Sequence, residues 1–173
     1  EAGLVRRWVA STLLGTQEPV AISEVGFLSG LVDSAEPGTD VGRIDMVLLK
    51  DSKAPLEWCA LEVQAVYITG PSIQADFRAL LAHRGDGLPF PPAVHRLDYR
   101  SSGPKRLMPQ LQIKVPTLRR WGKKMAVAVD SGFFGALSPM QAVGDVSNCD
   151  IAWFVVDILE EDDSDRAHLV SST

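Results

Sequence analysis

Soft metal ligands are scarce in this 173-residue chain, which has two cysteines and three histidines. Cys59 and Cys149 stand far apart with no CxxC or Cys/His spacing, which argues against a zinc or iron site. His83, His95 and His168 have neither the spacing of a metal cluster nor a nucleophile for company. GxxxxGK[ST], GxGxxG and GxSxG are all absent, so phosphate-loop, dinucleotide and nucleophile-elbow chemistries have no foothold. No apolar run approaches the ~20 residues of a membrane span, and no basic-apolar-small signal opens the chain. The expectation is a soluble cytoplasmic protein whose two reduced cysteines are small buried side chains. That the first residue is Glu1 rather than methionine suits an excerpt, a processed form or a string of ordered segments.

What is present is a globular balance, 46% hydrophobic and 23% charged, in a chain long enough to build one core without staples. The net charge of −5 conceals an asymmetry. From His95 to Lys124 there are nine Lys/Arg against one acid, Asp98, a local charge of +8, while the remaining eight basic and 21 acidic residues leave −13 elsewhere. Positive charge gathered in one segment of an acidic protein, among Ser, Tyr and Trp, points to an anionic partner, nucleic acid first.

Along the chain, Leu4, Val5, Trp8, Val9 and Thr12 predict an amphipathic helix ending near Gly15. PVAISEVGFLSGLV predicts a second helix, bearing Glu24 outside its apolar stripe. SAEPGTDVG reads as a loop; RIDMVLL and Trp58 to Ile68 read as two strands of a hairpin. TGPSIQADFRALLAHRG predicts a helix capped by Thr69. After the proline-rich GDGLPFPP, the basic segment predicts a short strand or loop, a helix around Arg106 to Ile113 and a separate turn near Pro116 to Trp121. MAVAVD and DIAWFVVDIL are further apolar strands, and the end, EEDDSDRAHLVSST, reads as a solvated tail. The domain expectation is one unit over 1–160 followed by an acidic polar tail over 161–173.

Chemistry concentrates in WCALEVQAV. Period-2 geometry sends Ala60, Glu62 and Gln64 to one face of that strand, and Asp45 can lie across the hairpin from them. Singly, each acid reads as an ordinary ion pair or cap. Together on apolar strands they repel, and a divalent cation offsets both the repulsion and the burial. Hard oxygen ligands of this kind suit Mg²⁺.

The order of Asp45, then Glu62 and Gln64 on the next strand, then an amphipathic helix and further strands, resembles the PD-(D/E)xK nuclease superfamily. More narrowly, IDMVLL, WCALEVQAVYITG, YRSSGPKRLMPQLQIKVPTLRRWGKKMAVAVD and IAWFVVDI resemble the NotI-like type II restriction endonucleases, from about Glu24 to Asp157. The resemblance implies an α/β fold with a restriction-endonuclease-like core, a central mixed β-sheet flanked by α-helices. It implies that Asp45 and Glu62 bind Mg²⁺, that Gln64 takes the place of the superfamily lysine, and that Glu24 is an upstream helix acid near the metal. A cysteine-ligated iron site expected in that family has no counterpart in this chain, so no recognition sequence carries over.

The implied activity is Mg²⁺-dependent hydrolysis of double-stranded DNA in a restriction-modification setting. Gln64 would orient the water, and Arg100, Lys105, Arg106, Arg119, Arg120, Lys123 and Lys124 would grip phosphates. The alternative is a non-cleaving nucleic-acid-binding module that keeps the fold. Homodimerisation and association with other chains or domains are open.

Overall fold

The computed structural model describes residues 2–29, 40–70, 73–85, 95–98, 103–160 and 167–171. Six strands form one sheet in the order β1 (Val20–Ser29), β2 (Asp40–Leu49), β3 (Trp58–Gln64), β6 (Met125–Asp130), β7 (Ile151–Glu160) and β8 (Ala167–Ser171). The outer pairs β1/β2, β2/β3 and β7/β8 are antiparallel, and the central β3/β6 and β6/β7 pairs are parallel, so the sheet is mixed. Two short strands, β4 (Tyr67–Thr69) and β5 (Arg96–Asp98), pair separately.

The central strands are buried because both faces are covered, as the continuous apolar runs require. α1 (Ala2–Leu14) packs Val9 and Ala10 against Leu48, Cys59, Leu61, Ala126, Ala128 and Phe154 on one face. Gly15, at φ +66°, supplies the left-handed turn that ends it. On the other face, α3 (Met108–Arg120) and the short α4 (Ser131–Gly135) cover Ala60, Met125, Val127 and Val129 with Leu107, Leu111, Leu118 and Phe133. A π-helical turn, Gly103–Leu107, leads into α3, and Asp130 caps α4 by accepting from the Phe133 N–H at 2.7 Å. Cys59 and Cys149 are both free thiols, and burial pushes the Cys59 thiol up to about 12. No described helix is long and apolar enough to cross a membrane.

Four expectations from the sequence are corrected. The segment expected as a Glu24-bearing helix is strand β1: its apolar residues also suit an extended edge, and pairing along β2 outweighs the weak helical spacing. The stretch expected as one strand from Trp58 to Ile68 divides into β3 and β4, and Thr69 lies in β4 rather than capping a helix. The basic segment makes one helix through Pro116 instead of two pieces. Residues 167–171, placed in the expected tail, pair with β7 as β8. α2 (Ile73–Ala82) forms as expected but buries none of its residues; its Asp76 holds His95, beside β5, at 2.8 Å.

Because Leu118 is 1% exposed in the α3 layer while Leu81 of α2 is 74% exposed, their truncations should separate. Leu118→Ala should lower unfolding free energy by about 2–5 kcal/mol, and Leu81→Ala should change it by less than about 0.5 kcal/mol. Urea unfolding of the two variants measures both.

Candidate functional site

Three acids fall in one row across the sheet. The β1/β2 register pairs Ser23 with Met46 and Val25 with Ile44, which sets Glu24 opposite Asp45. The β2/β3 ladder ends at Met46 and Leu61, and one further step sets Asp45 opposite Glu62. The row is also where the strands change faces. Ala21, Met46 and Leu48 pack toward α1, whereas Val25, Phe27 and Ile44 pack toward α3. Uninterrupted alternation would keep Ala21 with Val25 and Met46 with Ile44. Glu24 adopts φ +55°, a left-handed conformation unusual for a residue with a side chain, at the point where β1 makes the exchange.

At the same row β2 leaves β3, and side chains replace the lost ladder. The Val63 N–H donates to Asp45 Oδ2 at 2.9 Å. Asp45 therefore holds a backbone group of the strand that carries Glu62, across the fork.

Glu62 is 3% exposed, and its partner is Lys114 of α3, 2% exposed. Lys114 Nζ donates to Glu62 Oε1 at 2.6 Å and to Gln110 Oε1 at 2.8 Å, and also to the Arg43 carbonyl. Desolvation raises the Glu62 carboxyl above its usual range, and repulsion from Asp45 adds to this; Lys114 and the nearby backbone of Asp45 pull in the opposite direction.

The other expected residues are more dispersed. Glu24 is exposed and meets Arg43 Nη1 at 3.7 Å, on β2 two positions before Asp45. Gln64 is half-buried, and its amide nitrogen donates to the Ala65 carbonyl at 2.6 Å. Lys105 and Arg106 are exposed at the entry to α3, and Arg119 and Arg120 at its end, where Arg119 pairs with Asp150 at 3.3 Å. Lys123 donates to the Leu56 carbonyl at 2.9 Å and lies over the Trp58 ring at 5.4 Å. Lys124 donates to the carbonyls of Ser147 and Cys149. Arg100 lies outside the described residues.

Sequence reasoning counted Lys114 only as one of nine cations. The signal for it was present in helical spacing: Leu107, Leu111, Lys114 and Leu118 form one buried stripe, with the lysine standing where a leucine would serve.

Among the described residues no group of three or more acid, histidine or cysteine side chains is placed to hold a metal. Two hard carboxylates nevertheless fit a cation that keeps several waters and takes further oxygens from a phosphate, which is the habit of Mg²⁺.

A mixed sheet covered by helices on both faces, with two acids at the parting of adjacent strands, defines a restriction-endonuclease-like α/β core. The chain belongs to the NotI restriction endonuclease family: the family model described as Restriction endonuclease NotI matches residues 1–169. Membership implies a DNA-cleaving hydrolase of a class that generally uses a divalent metal. Comparisons with curated proteins and with solved structures return no match.

The raised Glu62 carboxyl fixes a sign. Between the unfolded glutamate value of about 4.3 and the raised folded value, the folded protein binds more protons than the unfolded chain. Glu62 therefore lowers stability as pH rises through that window. Metal-free unfolding measured from pH 4 upward should show this negative contribution, and Glu62→Gln should remove it. Equal pH slopes in the two proteins would contradict the assignment.

Proposed function

We propose that this protein is a Mg²⁺-dependent restriction-type endonuclease that hydrolyses phosphodiester bonds of double-stranded DNA. The observation that carries the reading is the fork of β2 and β3, where Asp45 accepts from the Val63 N–H one residue beyond Glu62. Asp45 and Glu62 are the residues that would hold the cation. When bound, that ion would polarise the scissile phosphate, acidify a water and stabilise the leaving oxygen.

The chain's own residues supply the rest. Gln64 uses its NH₂ on Ala65, leaving its amide oxygen able to accept from the attacking water and orient it. Neutral at all working pH values, Gln64 does not serve as the base. Glu24, one strand over in the same row, contributes negative charge at the rim and anchors Arg43. Lys105, Arg106, Arg119 and Arg120, exposed at the two ends of α3, form the phosphate-gripping surface, and Arg100 is assigned to phosphate contact from the sequence alone. Lys123 and Lys124 brace it through backbone carbonyls while contributing positive charge. The protein works in the cytoplasm, where unmodified foreign duplex is its substrate.

Asp45→Ala should abolish cleavage of plasmid in Mg²⁺, as EDTA should for the parent. Gln64→Ala should bind duplex normally and cleave about 10²–10⁴-fold more slowly. A parent protein that binds duplex but leaves plasmid intact at every Mg²⁺ concentration would instead be a binding module with the nuclease fold. Replacing Lys105, Arg106, Arg119 and Arg120 together by Ala should flatten the plot of log affinity against log salt, by roughly 0.9 for each phosphate no longer neutralised. An unchanged slope would make that surface a solvated face.

A further inference from the structure

The buried stripe that runs from Leu107 of the π-helical turn along α3 contains a residue that packing alone does not call for. Three of its four positions are leucines, and the fourth is Lys114. An ammonium in an apolar layer is costly unless every donor is satisfied, and here all three are: Glu62 on β3, the Arg43 carbonyl on β2 and Gln110 one turn earlier on α3. Lys114 therefore bridges the two strands that part at the fork, touching Glu62 directly and β2 two residues before Asp45. With its donors occupied and its side chain enclosed, it has none left for DNA.

A second observation comes from β3. Gln64 follows Glu62 by two positions on the same face, so a lysine there would set an ammonium beside the Glu62 carboxylate. Gln64 brings no charge, and its NH₂ is turned to Ala65. The ammonium missing from the strand stands at 2.6 Å from Glu62, delivered by the helix.

We propose that Lys114 is the positioning residue of the site, supplying from α3 the ammonium that an E-x-K triplet would supply from β3, and holding Glu62 in one orientation beside Asp45. The proposal rests on the reading of Asp45 and Glu62 as cation ligands. Partners that orient metal-binding carboxylates are worth about 10–100-fold in metal affinity or activity when removed. Lys114 acts through Glu62, and the presence of a neutral residue at position 64 follows from it.

The test compares the parent, Lys114→Met and Lys114→Met with Gln64→Lys, each checked for folding by circular dichroism. Mn²⁺ binding is measured by calorimetry, and plasmid cleavage separately. Lys114→Met should bind Mn²⁺ about 10–100-fold more weakly and lose cleavage in the same range, with duplex binding in Ca²⁺ retained. Adding Gln64→Lys should recover most of both losses, because the ammonium returns from the strand. If folded Lys114→Met binds Mn²⁺ like the parent, or if Gln64→Lys restores neither property, the proposal is overturned and the lysine is a packing element.

Should Lys114→Met fail to fold, the parent protein decides. Mn²⁺ should then broaden the nitrogen-15 ammonium resonance of Lys114 while leaving that of Lys123 sharp, and an unbroadened Lys114 signal overturns the proposal. A parent that neither binds Mn²⁺ nor cleaves would remove the nuclease reading and this inference with it. A parent that does both beside an indifferent Lys114→Met would remove this inference alone.

Discussion

The buried contact between Glu62 and Lys114 is the interaction on which the site depends. A carboxylate and an ammonium removed from water are each costly, and loss of either partner from a buried pair costs about 3–5 kcal/mol because the other is left uncompensated. Here the pair also links three elements: β3 through Glu62, β2 through the Arg43 carbonyl and α3 through Lys114 itself. The ordinary alternative, a leucine against an alanine or valine, would pack at least as well and hold nothing in place. The ion pair thus trades packing for a fixed carboxylate in the dry layer beneath the sheet.

Around that anchor β2 and β3 part at the row of acids instead of continuing their ladder. An unbroken β2/β3 ladder would set Val63 opposite Ile44 and spend its N–H on the β2 backbone. Parting at this row leaves the Val63 N–H to the Asp45 carboxylate, and that bond ties the two acid-bearing strands together. Glu24, at φ +55°, accompanies the change of face on the neighbouring strand and allows Phe27 and Ile44 to fold onto the α3 layer. The same distortion serves packing on one side and the polar row on the other.

The basic segment divides its charge among three tasks that follow from position on α3 and just beyond it. Lys114 points inward to Glu62. Lys123 and Lys124 reach backbone carbonyls of distant loops and fix the approach to β6. Lys105 and Arg120 face solvent and, among the described residues, make no ion pair. A charge count over the segment is therefore an upper bound on what a polyanion can meet, since counterion release requires cations that are free to approach phosphate.

Local pattern alone was enough to specify α1, β2, β6 and β7, the pairing of β2 with β3, and the candidacy of Asp45 and Glu62, because apolar runs too long to leave in water demand burial and polar residues within them stand out. It could not decide β1 or β8, whose extended form depends on hydrogen bonds to β2 and β7 far away in sequence or on the opposite side of a turn. Period two places Glu62 and Gln64 on one face, yet it assumes uninterrupted strands and so is blind to the exchange of faces at Glu24 and Asp45. Nor does a lysine 52 residues after Glu62 show from sequence that it will meet it. Which ammonium neutralises the buried acid depended on how α3 lies across the sheet, and that is a property of the packed layers, since only there are the charges close enough and dry enough to require one another.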